Sequence, residues 1–314
     1  MSITREDAEQ AARRIAGHVR RTPVADVEAA AFGTPAPLTL KLEHLQHTGS
    51  FKARGAFNRV LAARERGELT DVGVVAASGG NAGLAVAHAA ATVGVPAEVF
   101  VPATAPAVKV ARLAALGATV RQEGREYAEA YEAARTRAEV SGGLFCHAYD
   151  QPEICAGQGT LALELEEQAP DVDTVLVAVG GGGLMAGVAA ALEGHARVVG
   201  VEPESIPTLH RALAFGAPVD VEVSGVAADS LGARRLGDIA FDVAARCAVQ
   251  SVLVSDDAIV EARRALWQQC RIVVEHGAAT ALAALLQGSY APQPGESVAV
   301  ILCGANTDPS DLAG

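Results

Sequence analysis

Short β-branched runs alternate with alanine-rich stretches of helical character through most of this 314-residue chain, and no other feature narrows its fold as far. A strand that is apolar throughout needs cover on both faces, which points to a parallel sheet. Each parallel connection needs a crossover, and the alanine-rich stretches supply it as helices. The alternation therefore predicts an α/β protein with parallel or mostly parallel sheets covered by helices. Residues 72–77 read as a buried strand, 78–80 as a turn and 81–93 as a helix. A second unit follows: strand 97–101, turn 102–106, helix 107–116 closed by Gly117, a short extended stretch 119–121 and a polar helix 126–139 ended by Gly142 and Gly143. The later half opens a new series with helix 158–168, strand 174–179, helix 184–192 and strand 198–201. A strand at 252–254, helices at 256–270 and 277–287 and a strand at 297–302 complete it. We read a two-lobed molecule: a smaller lobe at 72–142 inserted into a larger lobe built from 1–71 and 143–314, with a cleft between them.

Charge narrows the partners. With 25 basic and 37 acidic residues the chain carries a net charge of −12, which repels phosphate backbones and anionic membrane surfaces, and no basic stripe offsets it. Nucleic acid and membrane partners are not expected. The first ten residues are polar and acidic, and no apolar run is long enough to span a bilayer, so a cytoplasmic protein is expected. The five cysteines (Cys146, Cys155, Cys247, Cys270 and Cys303) are odd in number and never spaced as C-x-x-C, which argues against a disulfide framework or a structural zinc site.

Three segments could carry chemistry. Gly180, Gly181, Gly182 and Gly183 join the apolar strand at 174–179 to the helix beginning near Leu184. Unhindered N–H groups at a helix N-terminus can converge on a phosphate. A flexible turn competes with this, although four glycines cost backbone entropy without adding packing. So does a dinucleotide site with Glu202 as the ribose-binding acid, but there is no clean G-x-G-x-x-G. Lys52, within Gly49-Ser50-Phe51-Lys52-Ala53-Arg54-Gly55, would ordinarily be dismissed as a surface lysine. Beside a phosphate cradle it can instead be the amine that forms an imine with an aldehyde cofactor. Ser78-Gly79-Gly80-Asn81 and the following Ala82 open a helix after a buried strand. The segment is either a plain helix cap or a clamp for a substrate carboxylate, with the Asn81 amide free for a ring hydroxyl.

Taken in order, Lys41-Leu-Glu-His-Leu-Gln-His-Thr-Gly-Ser-Phe-Lys52-Ala-Arg-Gly-Ala56, Ala77-Ser-Gly-Gly-Asn81, Ala156-Gly-Gln-Gly-Thr160, the tetraglycine and Val274-Glu275 resemble the serine/threonine dehydratase family, which is related to serine racemase. The resemblance runs from about Thr22 to Pro309. It implies the tryptophan-synthase-β-like fold of pyridoxal-phosphate enzymes (fold type II), in which the larger lobe binds the cofactor and the smaller one is mobile. It implies that Lys52 carries pyridoxal 5'-phosphate as a Schiff base and acts as acid and base at Cα, with Phe51 against the ring. Asn81 would bond the ring oxygen, and Gly180, Gly181, Gly182, Gly183 and Leu184 would bind the phosphate. Cys303 would face the pyridine nitrogen, with Glu275 near the ring. Ser78, Gly80, Asn81 and Ala82 would hold the substrate carboxylate. A homodimer is the family's usual assembly.

Local substitutions select among the family's reactions. A thiol opposite the pyridine nitrogen does not hold it protonated, so the ring is a weaker electron sink, which suits prompt loss of a β-hydroxyl. Racemases of the family place a second serine directly after the position of Ser78, whereas this chain has Gly79. The expected reaction is therefore α,β-elimination of L-serine, L-threonine or a related 3-hydroxy amino acid to a 2-oxo acid and ammonia. A serine racemase or β-replacement synthase of the same fold is the alternative. Glu202, the Ile206 carbonyl and Thr208 match the family's cation site; with a single carboxylate they suit a monovalent ion such as potassium, and a plain strand end is the competing reading. Termination at Gly314 leaves no room for a C-terminal regulatory domain, so a catabolic role without isoleucine feedback is expected. Tyr149 and His147 either line the side-chain pocket or serve packing.

Overall fold

The apolar runs pair into two separate sheets in the computed structural model, which describes residues 2–34 and 37–312. The strands are β1 Val24–Val27, β2 Leu38–Lys41, β3 Val74–Ala77, β4 Ala97–Val101, β5 Thr119–Gln122, β6 Leu144–Cys146, β7 Thr174–Ala178, β8 Arg197–Pro203, β9 Gln250–Val254 and β10 Val298–Ile301. The larger sheet runs β1-β2-β10-β7-β8-β9 and is parallel apart from the β1–β2 pair. The smaller, β5-β4-β3-β6, is parallel throughout. Every residue of β3, β7 and β10 is buried, as a strand covered on both faces requires. The edge strand β5 is mostly exposed and carries Arg121 and Gln122, which discourage edge-to-edge pairing.

Small residues let the helices approach closely. Helix Pro152–Gln168 crosses helix Gly183–Ala191 where Gly159 meets Gly187, and a Cβ on Gly159 would lie 2.7 Å from the Gly187 carbonyl oxygen. A Cβ on Gly157 would be 2.7 Å from the Arg54 carbonyl oxygen. The glycines of Ala156-Gly-Gln-Gly-Thr160 are thus packing residues. Helix Lys52–Glu65 precedes the smaller sheet in sequence but shares its core, with Ala53, Ala56, Phe57, Val60 and Leu61 packed among residues of β3 and β4.

The helices expected at 81–93 and 256–270 form with those bounds, as Asn81–Val93 and Asp256–Cys270. The helix expected at 158–168 begins earlier, at Pro152, because proline is well suited to a first helical turn. Helix Arg5–Ile15, with its Thr4 and Asp7 capping box, lies in the stretch read only as polar. Among the described residues no helix is long and apolar enough to cross a membrane.

In a parallel sheet the strands deliver their carboxyl ends to one edge, where ligands of α/β proteins bind. β2 leads into the Lys52 turn, β7 into the tetraglycine and β10 into the Cys303 loop, while β3 of the other sheet leads into Ser78 and Asn81.

Candidate active site

Lys52 opens the helix Lys52–Glu65, and the loop after β10 fixes its approach: the Phe51 N–H donates to the Cys303 carbonyl at 3.0 Å, and Ser50 bridges Gly304. Its Nζ donates to the Ala148 carbonyl at 2.7 Å and stands 4.8 Å from the Phe51 ring centre. Burial lowers its pKa to about 8, only partly opposed by Cys303, Cys155 and Glu275. The surface-lysine reading therefore gives way. The chain has three lysines, Lys41, Lys52 and Lys109. Lys41 is buried and paired with Glu164 at 2.8 Å, and Lys109 pairs with Asp229. Among the described residues, Lys52 is the one lysine without a carboxylate partner. An amine depressed toward neutral pH and left unpaired can act as a nucleophile and a base.

The tetraglycine is walled in by protein. A Cβ on Gly180 would lie 2.8 Å from the Leu231 carbonyl oxygen, one on Gly181 2.4 Å from the Tyr149 ring, one on Gly182 2.5 Å from Ala240 and one on Gly183 2.5 Å from the Tyr149 carbonyl oxygen. Gly182 also has φ of +85°, a conformation that favours glycine. The expectation that these glycines add no packing is thereby corrected: close packing forbids side chains at all of them. The N–H groups of Gly181, Gly182, Gly183 and Leu184 make no hydrogen bond among the described residues. They lie at the N-terminal end of helix Gly183–Ala191, where free backbone donors can cradle an anion.

On the facing loop, Ser78 Oγ accepts from the Gly80 N–H at 3.2 Å. The Asn81 Nδ2 donates to Glu275 Oε1 at 2.8 Å, and burial raises Glu275 to about 7. Ala82 follows in the first turn of helix Asn81–Val93. Cys303 is buried, which pushes its thiol pKa up and keeps it neutral. Lys52, Glu275 and Cys303 are close enough to shift one another's titration, so residues from three distant stretches meet at one point.

Glu202 lies near the end of β8. Its carboxylate is fully buried and accepts from the Leu209 N–H at 2.7 Å, the His210 N–H at 2.9 Å and the Thr208 hydroxyl at 2.9 Å. It caps helix Thr208–Phe215 and is wholly enclosed, out of reach of a ribose, so the dinucleotide reading falls. The Thr208 hydroxyl also lies 2.6 Å from the Gly180 carbonyl, and the Ile206 carbonyl accepts the Thr208 N–H at 3.1 Å.

Sequence reasoning left His147 and Tyr149 open and missed Cys155. His147 Nδ1 accepts the N–H groups of Tyr149 at 3.1 Å and Asp150 at 2.8 Å, and burial lowers it to about 4. It is a neutral packing residue beneath the Tyr149 ring, whose centre is 4.6 Å away. Cys155 donates to the Tyr149 carbonyl at 3.0 Å. No local periodicity signals such contacts.

An amine lowered toward neutral pH, in the same protein as a row of free backbone donors at a helix start, suits a phosphate-bearing aldehyde, and the comparisons agree. Residues 15–304 match the family described as "Pyridoxal-phosphate dependent enzyme". The chain is 38% identical over 309 residues to the L-threonine ammonia-lyase of Thermotoga maritima, covering 98% of this chain and 76% of that one. Among solved structures, a threonine deaminase from T.th. superposes with a TM-score of 0.88 at 37% identity, over 97% of this chain and 99% of that one. The serine racemase of Dictyostelium discoideum also gives 0.88, at 33% identity, over 98% of this chain and 100% of that one. The chain belongs to the pyridoxal-phosphate dependent enzyme family and shares the fold-type-II architecture of these threonine deaminases and serine racemases.

Proposed function

We propose that this protein eliminates water from L-threonine, L-serine or a related 3-hydroxy amino acid, releasing the 2-oxo acid and ammonia. The observation that carries the reading is Lys52, a lysine without a carboxylate partner among the described residues, lowered to about 8 and bonded to the carbonyl of Ala148, whose neighbour Tyr149 packs against the tetraglycine. Similarity to a threonine ammonia-lyase and a threonine deaminase supports it.

Bound pyridoxal phosphate would supply the electron sink that makes the substrate Cα–H acidic. The chain's residues divide the remaining work. The N–H groups of Gly181, Gly182, Gly183 and Leu184 would hold the phosphate, with Gly180 shaping the loop, and Asn81 would bond the ring oxygen. Phe51 would lie against the ring, and the neutral Cys303 thiol would face the pyridine nitrogen without protonating it. Ser78, Gly80, Asn81 and Ala82 receive the α-carboxylate. The neutral Lys52 amine takes the Cα proton, the β-hydroxyl leaves as water, and one water is taken up again when ammonia is released. Gly79 offers no side chain to return a proton to the opposite face, which disfavours racemisation, the chemistry named for the Dictyostelium neighbour.

The lobes at 1–71 with 143–314 and at 72–142, a homodimeric assembly and a cytoplasmic setting complete the proposal, along with potassium near Glu202, the Ile206 carbonyl and Thr208. Sedimentation tests the dimer, and activity in potassium against a large organic cation tests the ion. The decisive assay is 2-oxo acid release by the cofactor-loaded protein over a panel of 3-hydroxy amino acids. Release by the parent and none by Lys52→Ala is expected; an active Lys52→Ala refutes the assignment.

A further inference from the structure

The hydrogen bonds around Asn81 pass through a residue that the scheme above leaves unused. Asn306 sits on the loop after β10, and its Nδ2 donates to the Thr48 carbonyl at 2.7 Å and to Asn81 Oδ1 at 2.7 Å. A carboxamide alone can sit in either of two flipped orientations that differ little in shape. Asn306 has both side-chain hydrogens committed, so it must meet the oxygen of Asn81. That turns the Asn81 NH2 toward Glu275, which accepts one hydrogen at 2.8 Å and leaves the other for a further acceptor.

The other end of the network holds strained backbone. Thr48 has φ of 59°, a left-handed conformation that is costly for a β-branched residue, and Gly49 follows at 75°. A Cβ on Gly49 would lie 3.2 Å from Asn306 Oδ1, and the Ala305 N–H donates to the Gly49 carbonyl at 2.9 Å. This turn delivers Phe51 and Lys52. One side chain therefore ties the turn that aims the amine to the carboxamide on the opposite sheet.

We propose that Asn306 is a positioning residue: it holds Asn81 with its N–H side toward the cofactor and fixes the Thr48 turn, keeping the Lys52 amine and the Asn81 donor in register. This rests on the reading of Asn81 as a cofactor-facing donor. Asn306→Asp keeps the size but removes both hydrogens, so Asn81 must turn its NH2 toward residue 306 and away from the cofactor.

The test is titration of pyridoxal phosphate into cofactor-free protein, read as affinity and as the absorbance maximum of the bound cofactor. Thermal unfolding monitors the fold, and borohydride trapping monitors attachment to Lys52. Asn306→Asp and Asn306→Ala should each weaken binding by about tenfold or more, the size of one lost hydrogen bond to a charged group, and shift the maximum. Asn81→Ala should do likewise, and Asn81→Ala combined with either change should bind no more weakly than Asn81→Ala alone. Effects that add in the double variant overturn the inference while sparing the Asn81 reading. An Asn81→Ala protein with parental affinity and spectrum, still trapped on Lys52, overturns that reading and the inference with it. Should Asn306→Asp not fold, Asn306→Ala is judged by the same criteria.

Discussion

Replacing Gly181 by alanine separates two reasons for the glycine. The new Cβ would lie 2.4 Å from Cγ and Cδ1 and 2.5 Å from Cδ2 of Tyr149, so the ring must retreat by about 1 Å to reach ordinary contact. It cannot do so freely. The Tyr149 carbonyl accepts from Cys155 at 3.0 Å, its N–H is held by His147 at 3.1 Å and its hydroxyl reaches the Arg235 carbonyl at 3.3 Å. Overpacking of this kind costs about 1–3 kcal/mol. For a protein of this size each kcal/mol lowers Tm by roughly 2–4 °C, so the cofactor-free variant should melt roughly 2–12 °C below the parent. Differential scanning calorimetry of cofactor-free protein measures it directly. Gly80→Ala is the control, since nothing lies within 4 Å of its added Cβ, and it should change stability by no more than about 0.5 kcal/mol. Adding Tyr149→Ala to Gly181→Ala should remove the clash, so the double variant should lose no more stability than Tyr149→Ala alone. A cofactor-free Gly181→Ala protein as stable as the parent, weakened only in cofactor binding, would refute the packing argument.

Further outcomes follow from other contacts. Arg54 is fully buried and bonds Glu43 at 2.6 Å and Glu164 at 2.7 Å, so Arg54→Ala strands the buried Glu43 carboxylate and should cost about 3–5 kcal/mol in urea unfolding, while Arg54→Met with Glu43→Gln should cost less. Equal losses would contradict this. A Cβ on Gly79 meets Val101 at 3.5 Å and Lys109 at 3.7 Å, ordinary contact distances, so Gly79→Ser should fold and raise D-serine formed relative to pyruvate; chiral chromatography showing no D-serine above the parent rejects the role given to Gly79. His147 has a folded pKa of about 4 against the usual 6.5, so the unfolded chain binds more protons between these values. Its contribution is complete above pH 6.5 and is lost as pH falls toward 4. Glu202 and Glu275, raised to about 7, titrate in the opposite sense, so the observable is a difference: parent stability should fall faster than that of His147→Asn across this window, and parallel curves would refute it.

Much of this architecture was legible because its signals are local. The buried strands of both sheets are short apolar runs, and helix Asp256–Cys270 begins after the capping Ser255, so even its bounds could be read. Helix Lys52–Glu65 could not. It buries Arg54 and Asn58 beside Phe57 and Leu61, which erases the apolar stripe that periodicity detects. The ion-paired quartet of Lys41, Glu43, Arg54 and the half-buried Glu164 is spread over more than a hundred residues, and nothing in spacing pairs them. At the site, Lys52, Asn81 and the tetraglycine stood out as motifs, whereas Tyr149, Cys155 and Asn306 act through contacts made only by the fold. Glu202 shows the reverse: its position after a strand suggested a ribose-binding acid, but it is buried and accepts N–H groups at the N-terminus of the next helix.

At the centre stands Lys52, the one lysine without a carboxylate partner among the described residues, as the carrier of the cofactor and of the proton. Borohydride reduction of the pyridoxal-phosphate-loaded protein, followed by peptide mass spectrometry, tests it most directly, because the chain offers only Lys41, Lys52 and Lys109 as candidates. The account predicts the reduced cofactor on the peptide containing Lys52 and on neither of the others. Label on Lys41 or Lys109, or unchanged labelling in Lys52→Ala, would contradict it.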